Sequence, residues 1–213
     1  MSKIKIFALG GLNENGKNMY VVEVNKDIFV FDAGLKYDND INLGIDYIIP
    51  SIDYLVKNRK RIKGIFLTHG HEGNMGATPD VLEQLPEVPV YGTKLTLEMV
   101  AKDIDRSIAN KVKLIEIKPH IKLNFGKNSI FPISVTHSIP DAVCYVLYTP
   151  DGAIVYTGDF VFDSTMQGTY KTDIGKLAYV GKQGVLCLLS ESFYADRPGH
   201  TSPNNRVSDF IRE

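Results

Sequence analysis

Short apolar runs, alternating or continuous, punctuate the first third of the chain. "KIKIFAL" (3–9) and "MYVVEVNKDIFVFDAG" (19–34) carry the period-two pattern of strands, and the turn-like Asn25-Lys26-Asp27 makes the second stretch a hairpin. "DYIIPSIDYLVKNRKRI" (46–62) places Ile49, Ile52, Leu55 and Val56 at helical spacing and ends in basic residues suited to a helix C-terminus. "KGIFLTH" reads as a buried strand. "TPDVLEQLP" reads as a helix with Thr78 at the N-cap and Pro79 at the first helical position. A strand over "VPVYG", a helix over "TKLTLEMVAKDIDRSIA" (93–109) and a strand over "KVKLIEI" follow. "IKLNFGKNSIFPISVTHS", "AVCYVLYTPDGAIVYTGDF" and "QGVLCLLSES" then read as strands, with Pro150-Asp151-Gly152 closing a hairpin. Strands interspersed with helices favour an α/β fold of two sheets covered by helices over an all-β barrel.

Composition narrows the class. A chain of 213 residues can bury a real core in one large domain. Its formal net charge of −1 supplies no global basic bias toward nucleic acid or anionic lipid. The N-terminal "MSKIKIFALGG" has no apolar stretch of signal-peptide length, and no run approaches the roughly 20 residues of a bilayer span. Cys144 and Cys187 sit in separate apolar runs without C-x-x-C spacing, as buried free thiols of a reducing compartment would. A cytoplasmic protein without a membrane role is expected. At the far end, "SPNNRVSDFIRE" resembles a capped helix with Val207, Phe210 and Ile211 on one face, too short to be stable alone. The chain is therefore expected to be an N-terminal piece of a longer protein.

Chemistry concentrates in few residues. Of five histidines, His69 and His71 are expected to end a strand, and residues two apart in extended backbone face one side, so one ion can take both imidazoles. His137 ends "ISVTHS" and Asp159 ends "AIVYTGD". Taken singly, each is equally a hydrogen-bonded loop residue. As a set delivered by three strand ends, three imidazoles and a carboxylate suit zinc, which takes N and O ligands at about 2.0–2.2 Å. His120 and His200 lie in turn-like segments and are expected at the surface. Gly10, Gly11 and Gly16 are followed by a strand, which leaves no helix N-terminus for a pyrophosphate, so they serve a tight turn.

These segments resemble the metallo-β-lactamase fold family and, within it, the ribonuclease J group of the β-CASP nucleases. "FALGGLNENGKNMYVVE" looks like that group's opening hairpin and "DYIIPSIDYL" like its first helix. "LTHGHEGNMGA" is similar to its H-x-H-x-D-H signature. "THSIPDA", "TGDFVFD" and "SESFYADRPGHTSP" resemble the segments that follow, covering nearly the whole chain. The resemblance implies an αββα sandwich of two mixed sheets flanked by helices over residues 1–205. It makes 206–213 the start of a helix leading to a β-CASP domain outside this chain.

It also implies a first metal site on His69, His71 and His137, with Asp159 bridging to a second metal and, with His137, serving catalysis. The second metal would draw on the signature's Asp and His, where this chain has Gly73 and Asn74. Glycine offers no ligand atom and a neutral amide oxygen is a poor one for zinc. Glu72 is expected to be a solvated or helix-N-terminal charge, and Glu191 stands where the family has Asp. Two-metal hydrolases clamp both oxygens of a displacement between ions about 3.5–4 Å apart. A chain holding at most one zinc ion, with manganese or magnesium as alternatives, cannot do so.

Within the ribonuclease J group the chain resembles the degenerate second paralogue. This resemblance implies RNA processing and decay, with weak or absent 5′-exo- or endoribonuclease activity in the full-length protein and none in residues 1–213. RNA contact would come mainly from the β-CASP domain, in a homo- or hetero-oligomer. The alternatives are a catalytically silent partner of an active ribonuclease J paralogue and a small-molecule hydrolase of the glyoxalase or lactamase kind. The "SIPD" and "RPG" segments speak against the last.

Overall fold

The computed structural model describes residues 1–37, 44–163 and 165–199. His200 and the helix expected from position 206 lie outside them. The chain divides into two units, Met1–Lys118 and Pro119–Glu213.

In the first unit β1 (Ile4–Gly10), β2 (Met19–Val24) and β3 (Asp27–Phe31) form an antiparallel meander, with Asn25 in left-handed backbone (φ 56°) at the expected turn. The two-residue strands β4 (Lys36–Tyr37) and β5 (Tyr47–Ile48) pair with each other. The helix expected over 46–62 contracts to α1 (Asp53–Lys57), followed by a 3₁₀ turn at Arg59–Arg61. Pro50 biases Ile49 toward extended backbone, so the apolar residues before it cannot join the helix. Ile52 and Leu55 are buried all the same.

β6 (Ile62–Phe66) runs parallel to β3, and α2 (Glu72–Met75) and α3 (Thr78–Gln84) follow. Thr78 is the first residue of α3 and Ala77 its cap, because the Thr78 hydroxyl donates backward to Met75 O (2.6 Å). β7 (Val90–Gly92), α4 (Lys94–Asp103) and β8 (Leu114–Glu116) complete the unit. α4 stops short of the expected position 109: the Ser107 N–H donates to Asp105 Oδ1 (2.6 Å), a local bond that competes with the helix. The six-stranded sheet has the order β1-β2-β3-β6-β7-β8. Met19, Val21, Ile28, Val30, Ile65 and Leu67 pack with α1, α3 and α4 residues in one core. Val22, Phe29, Phe31 and Phe66, on the alternate positions, are also buried, as in sheets covered on both faces.

The second unit is a five-stranded sheet in the order β13-β12-β11-β10-β9, with β9 (Leu123–Phe125), β10 (Asn128–Ser134), β11 (Val143–Thr149), β12 (Gly152–Tyr156) and β13 (Val185–Leu189). β9 to β12 are antiparallel neighbours, and β13 is parallel to β12. The crossover between those last two is α5 (Ile174–Gln183), not among the elements expected from the sequence although Ile174, Leu177 and Ala178 stand at helical spacing. Its ends are marked as well: the Asp173 side chain accepts the Lys176 N–H, and Gly184 (φ 92°) closes it. Val180 and Leu177 pack with Ile133, Val135, Val146 and Val155. Cys144 and Cys187 are free thiols, and burial pushes the Cys144 thiol up to about 12.

Candidate metal centre

His69, His71, Gly73 and Asn74 are set by how the loop after β3 meets the segment from β6 to α2. Asp32 follows β3 in left-handed backbone (φ 60°) and is fully buried. Its N–H donates to Phe66 O (3.0 Å), the Ala33 N–H to Asn74 O (2.7 Å), and the Leu35 N–H to Glu72 O (2.9 Å). Asn18 N–H reaches Gly73 O (3.0 Å) from the loop between β1 and β2. This zipper needs close backbone approach: a Cβ on Gly34 would collide with the Gly73 carbonyl. Gly11 (φ 83°) and Gly16 (φ 89°) sit in left-handed backbone in the loop, and β2 follows, as expected of a turn and not a dinucleotide loop.

His69 and His71 come after β6, in the loop before α2, not in the strand itself. Their rings meet edge to face with centroids 4.8 Å apart. His69 is buried, and its Nδ1 lies 3.0 Å from Thr68 Oγ1. His71 is half-buried, and desolvation holds its pKa below the ordinary histidine value, which favours the neutral imidazole a metal binds.

His137 follows the buried Thr136, whose N–H donates to Thr172 Oγ1 (2.7 Å) and whose hydroxyl donates to Tyr170 O (2.6 Å). That bonding holds the backbone beside the histidine. His69 and His71 belong to the first unit and His137 to the second. Three imidazoles are a donor set that fits zinc.

Asp159 lies in the turn after β12, next to Gly158 (φ 58°), and is half-buried. Glu191 serves that turn: its Oε1 accepts the Phe160 N–H at 2.8 Å. The carboxylate of Glu72, a first-turn residue of α2 as expected, lies over Gly76, where a Cβ would collide with it. Desolvation and then Asp103 raise its pKa. His120 is half-exposed and pairs with Asp173 Oδ2 (3.3 Å) within the second unit.

Gly73 and Asn74 have their own surroundings. A Cβ on Gly73 would sit 3.2 Å from Gly16 Cα. Asn74 is 2% exposed; its Nδ2 donates to Asp32 Oδ2 (2.9 Å), and its Oδ1 lies 3.5 Å from Asn18 Nδ2. Asp32, Thr68 and Asn18 carry this arrangement without standing out in the sequence as chemistry. The available signals are an Asp-Ala-Gly closing an apolar run and a Thr directly before the first His.

A family model described as the metallo-beta-lactamase superfamily matches residues 12–182. The chain is 45% identical over 205 residues to Ribonuclease J 2 of Staphylococcus aureus (strain MRSA252), and 43% identical over 205 residues to that of Staphylococcus epidermidis. Each alignment covers 96% of this chain and 37% of the relative, so the chain spans little more than a third of the curated relatives' length. Among solved structures, a protein of unknown function from Enterococcus faecalis V583 superposes with a TM-score of 0.68 at 18% identity, covering 99% of this chain and 57% of that one. The metallo-beta-lactamase fold protein YhfI from Bacillus subtilis gives 0.53 at 15% identity, over 76% and 64% of the two chains.

Proposed function

From the chain's membership of the metallo-β-lactamase superfamily, we propose that it is the N-terminal portion of a ribonuclease J-type protein of RNA processing and decay, with a degenerate metal site and weak or absent nuclease activity of its own. The 45% identity to Ribonuclease J 2 supports the ribonuclease J assignment. The observation that carries the degenerate-site reading is the bonding of Asn74. A side chain that donates to a buried carboxylate, beside a glycine without ligand atoms, is poorly suited to a second metal. His69, His71 and His137 would hold the first ion, and Asp159 would add a carboxylate to it. A bound zinc ion would supply Lewis acidity toward a phosphoryl oxygen and lower the pKa of a water.

The protein's own residues do the rest. His71 offers a neutral imidazole, Thr136 and Glu191 hold the turns that carry His137 and Asp159, and residues beyond 213 would bind the RNA. In the cytoplasm, such a protein acts beside an active paralogue in one oligomer. Metal analysis of purified protein tests the reading directly. One equivalent of zinc or manganese per chain, or less, is expected, and two tightly held ions would overturn it. Degradation of 5′-monophosphorylated RNA by the full-length protein should be slow and lost in Asp159→Ala; turnover at the rate of an active paralogue would overturn the reading.

A further inference from the structure

A continuous set of hydrogen bonds runs from position 74 to the first histidine, all within the first unit. Asn74 Nδ2 donates to Asp32 Oδ2 (2.9 Å), and the Thr68 N–H donates to Asp32 Oδ1 (2.7 Å). Thr68 Oγ1 lies 3.0 and 2.9 Å from the two Asp32 oxygens and 3.0 Å from His69 Nδ1. A hydroxyl has one hydrogen to give and lone pairs to accept with, and an ionised carboxylate only accepts. Turning the Thr68 hydrogen toward the imidazole would leave oxygen lone pairs facing two carboxylate oxygens at 2.9–3.0 Å. With the hydrogen on Asp32, the Thr68 lone pair faces His69 Nδ1, which must then carry the ring's proton. A neutral imidazole has one such proton, so Nε2 keeps its lone pair, and that is the form a metal ligand needs.

We propose that Thr68, oriented by Asp32 and Asn74, is a positioning residue that holds His69 in its Nδ1–H tautomer. The asparagine at a degenerate ligand position thereby supports the first metal site. Asp32, buried and in left-handed backbone, is the hub, since it joins the β3 end to both Thr68 and Asn74.

The tautomer is measurable without metal, by long-range ¹H–¹⁵N correlation of the histidine rings in the metal-free chain at neutral pH. This arm stands even if the proposed function fails. The Nδ1–H pattern is expected for His69; an Nε2–H pattern would overturn the proposal. Thr68→Val, which removes the hydroxyl, is expected to lose the single tautomer and to weaken zinc binding by about 10–100-fold, while Thr68→Ser keeps both. Unchanged tautomer in Thr68→Val, or its loss with unchanged zinc affinity, would overturn the link from threonine to ligand. Should Thr68→Val not fold, the wild-type pattern and Thr68→Ser still decide the matter. Asn74→Ala is expected to weaken zinc binding in the same direction by a smaller factor, and no change there would remove Asn74 from the relay.

Discussion

At position 74 the chemistry of one side chain changes the meaning of its neighbours. The Asn74 amide is an N–H donor to a buried carboxylate, and hydrogen bonds to charged groups are worth about 1.5–3 kcal/mol. Asn74→Ala should therefore lower the unfolding free energy by about 1.5–3 kcal/mol, read from urea titration. Asn74→Asp should cost more at neutral pH, because it faces Asp32 with a second carboxylate. That excess should shrink on acidification as one of the pair takes a proton. Introducing a metal-ligand pair with Gly73→Asp and Asn74→His meets two obstacles. The new Cβ at 73 lies 3.2 Å from Gly16 Cα, and the donor to Asp32 is gone. The double variant is expected to be less stable than the parent by about 1–3 kcal/mol in the same titration.

Two elements are held by identifiable end contacts. Asp173 caps α5 through Oδ1 and pairs with His120 through Oδ2 (3.3 Å), so Asp173→Ala should destabilise the chain by about 0.5–2 kcal/mol in chemical denaturation. In the first unit the 3₁₀ turn at Arg59–Arg61 is tied to the end of α3. Arg59 Nε donates to Glu87 Oε1 (2.7 Å), and its Nη2 donates to Gln84 O (2.8 Å). The Arg59 hydrogen bond holds the Glu87 carboxyl below its ordinary value. A depressed carboxylate contributes stability above its unfolded-state pKa and loses it as pH falls through the folded one. Glu87→Gln should therefore cost stability at neutral pH, under about 1 kcal/mol for so exposed a pair, and the gap from wild type should close on acidification below the glutamate range. A gap that persists there would assign the effect to packing.

For the whole chain the relevant number is charge. With 24 basic and 25 acidic residues it carries no counterion-releasing surface on balance. RNA binding by residues 1–213 should be weaker than about 10⁻⁴ M at physiological salt, checked by fluorescence anisotropy with single-stranded RNA. Affinity tighter than about 10⁻⁶ M would place an RNA-binding surface within these residues. No helix among the described residues is long and apolar enough to cross a membrane.

The strands were legible because period-two runs such as "MYVVEVNKDIFVF" are bounded by turn residues, and pairing follows once one face must be buried. The hydrophobic pattern marked less clearly where helices begin and end. Pro50 cut α1 short, the Asp105 turn cut α4, and α5 rests on caps at Asp173 and Gly184. The sequence alone showed which residue types could hold a metal, and its resemblance to a family signature implied Asp and His where Gly73 and Asn74 stand. Only the tertiary structure could decide what Asn74 does instead, because its partner Asp32 lies 42 positions away. A residue pattern states which donors and acceptors a chain owns. Which of them meet in a buried site, where each polar group must find a partner, is determined when distant segments close on one another.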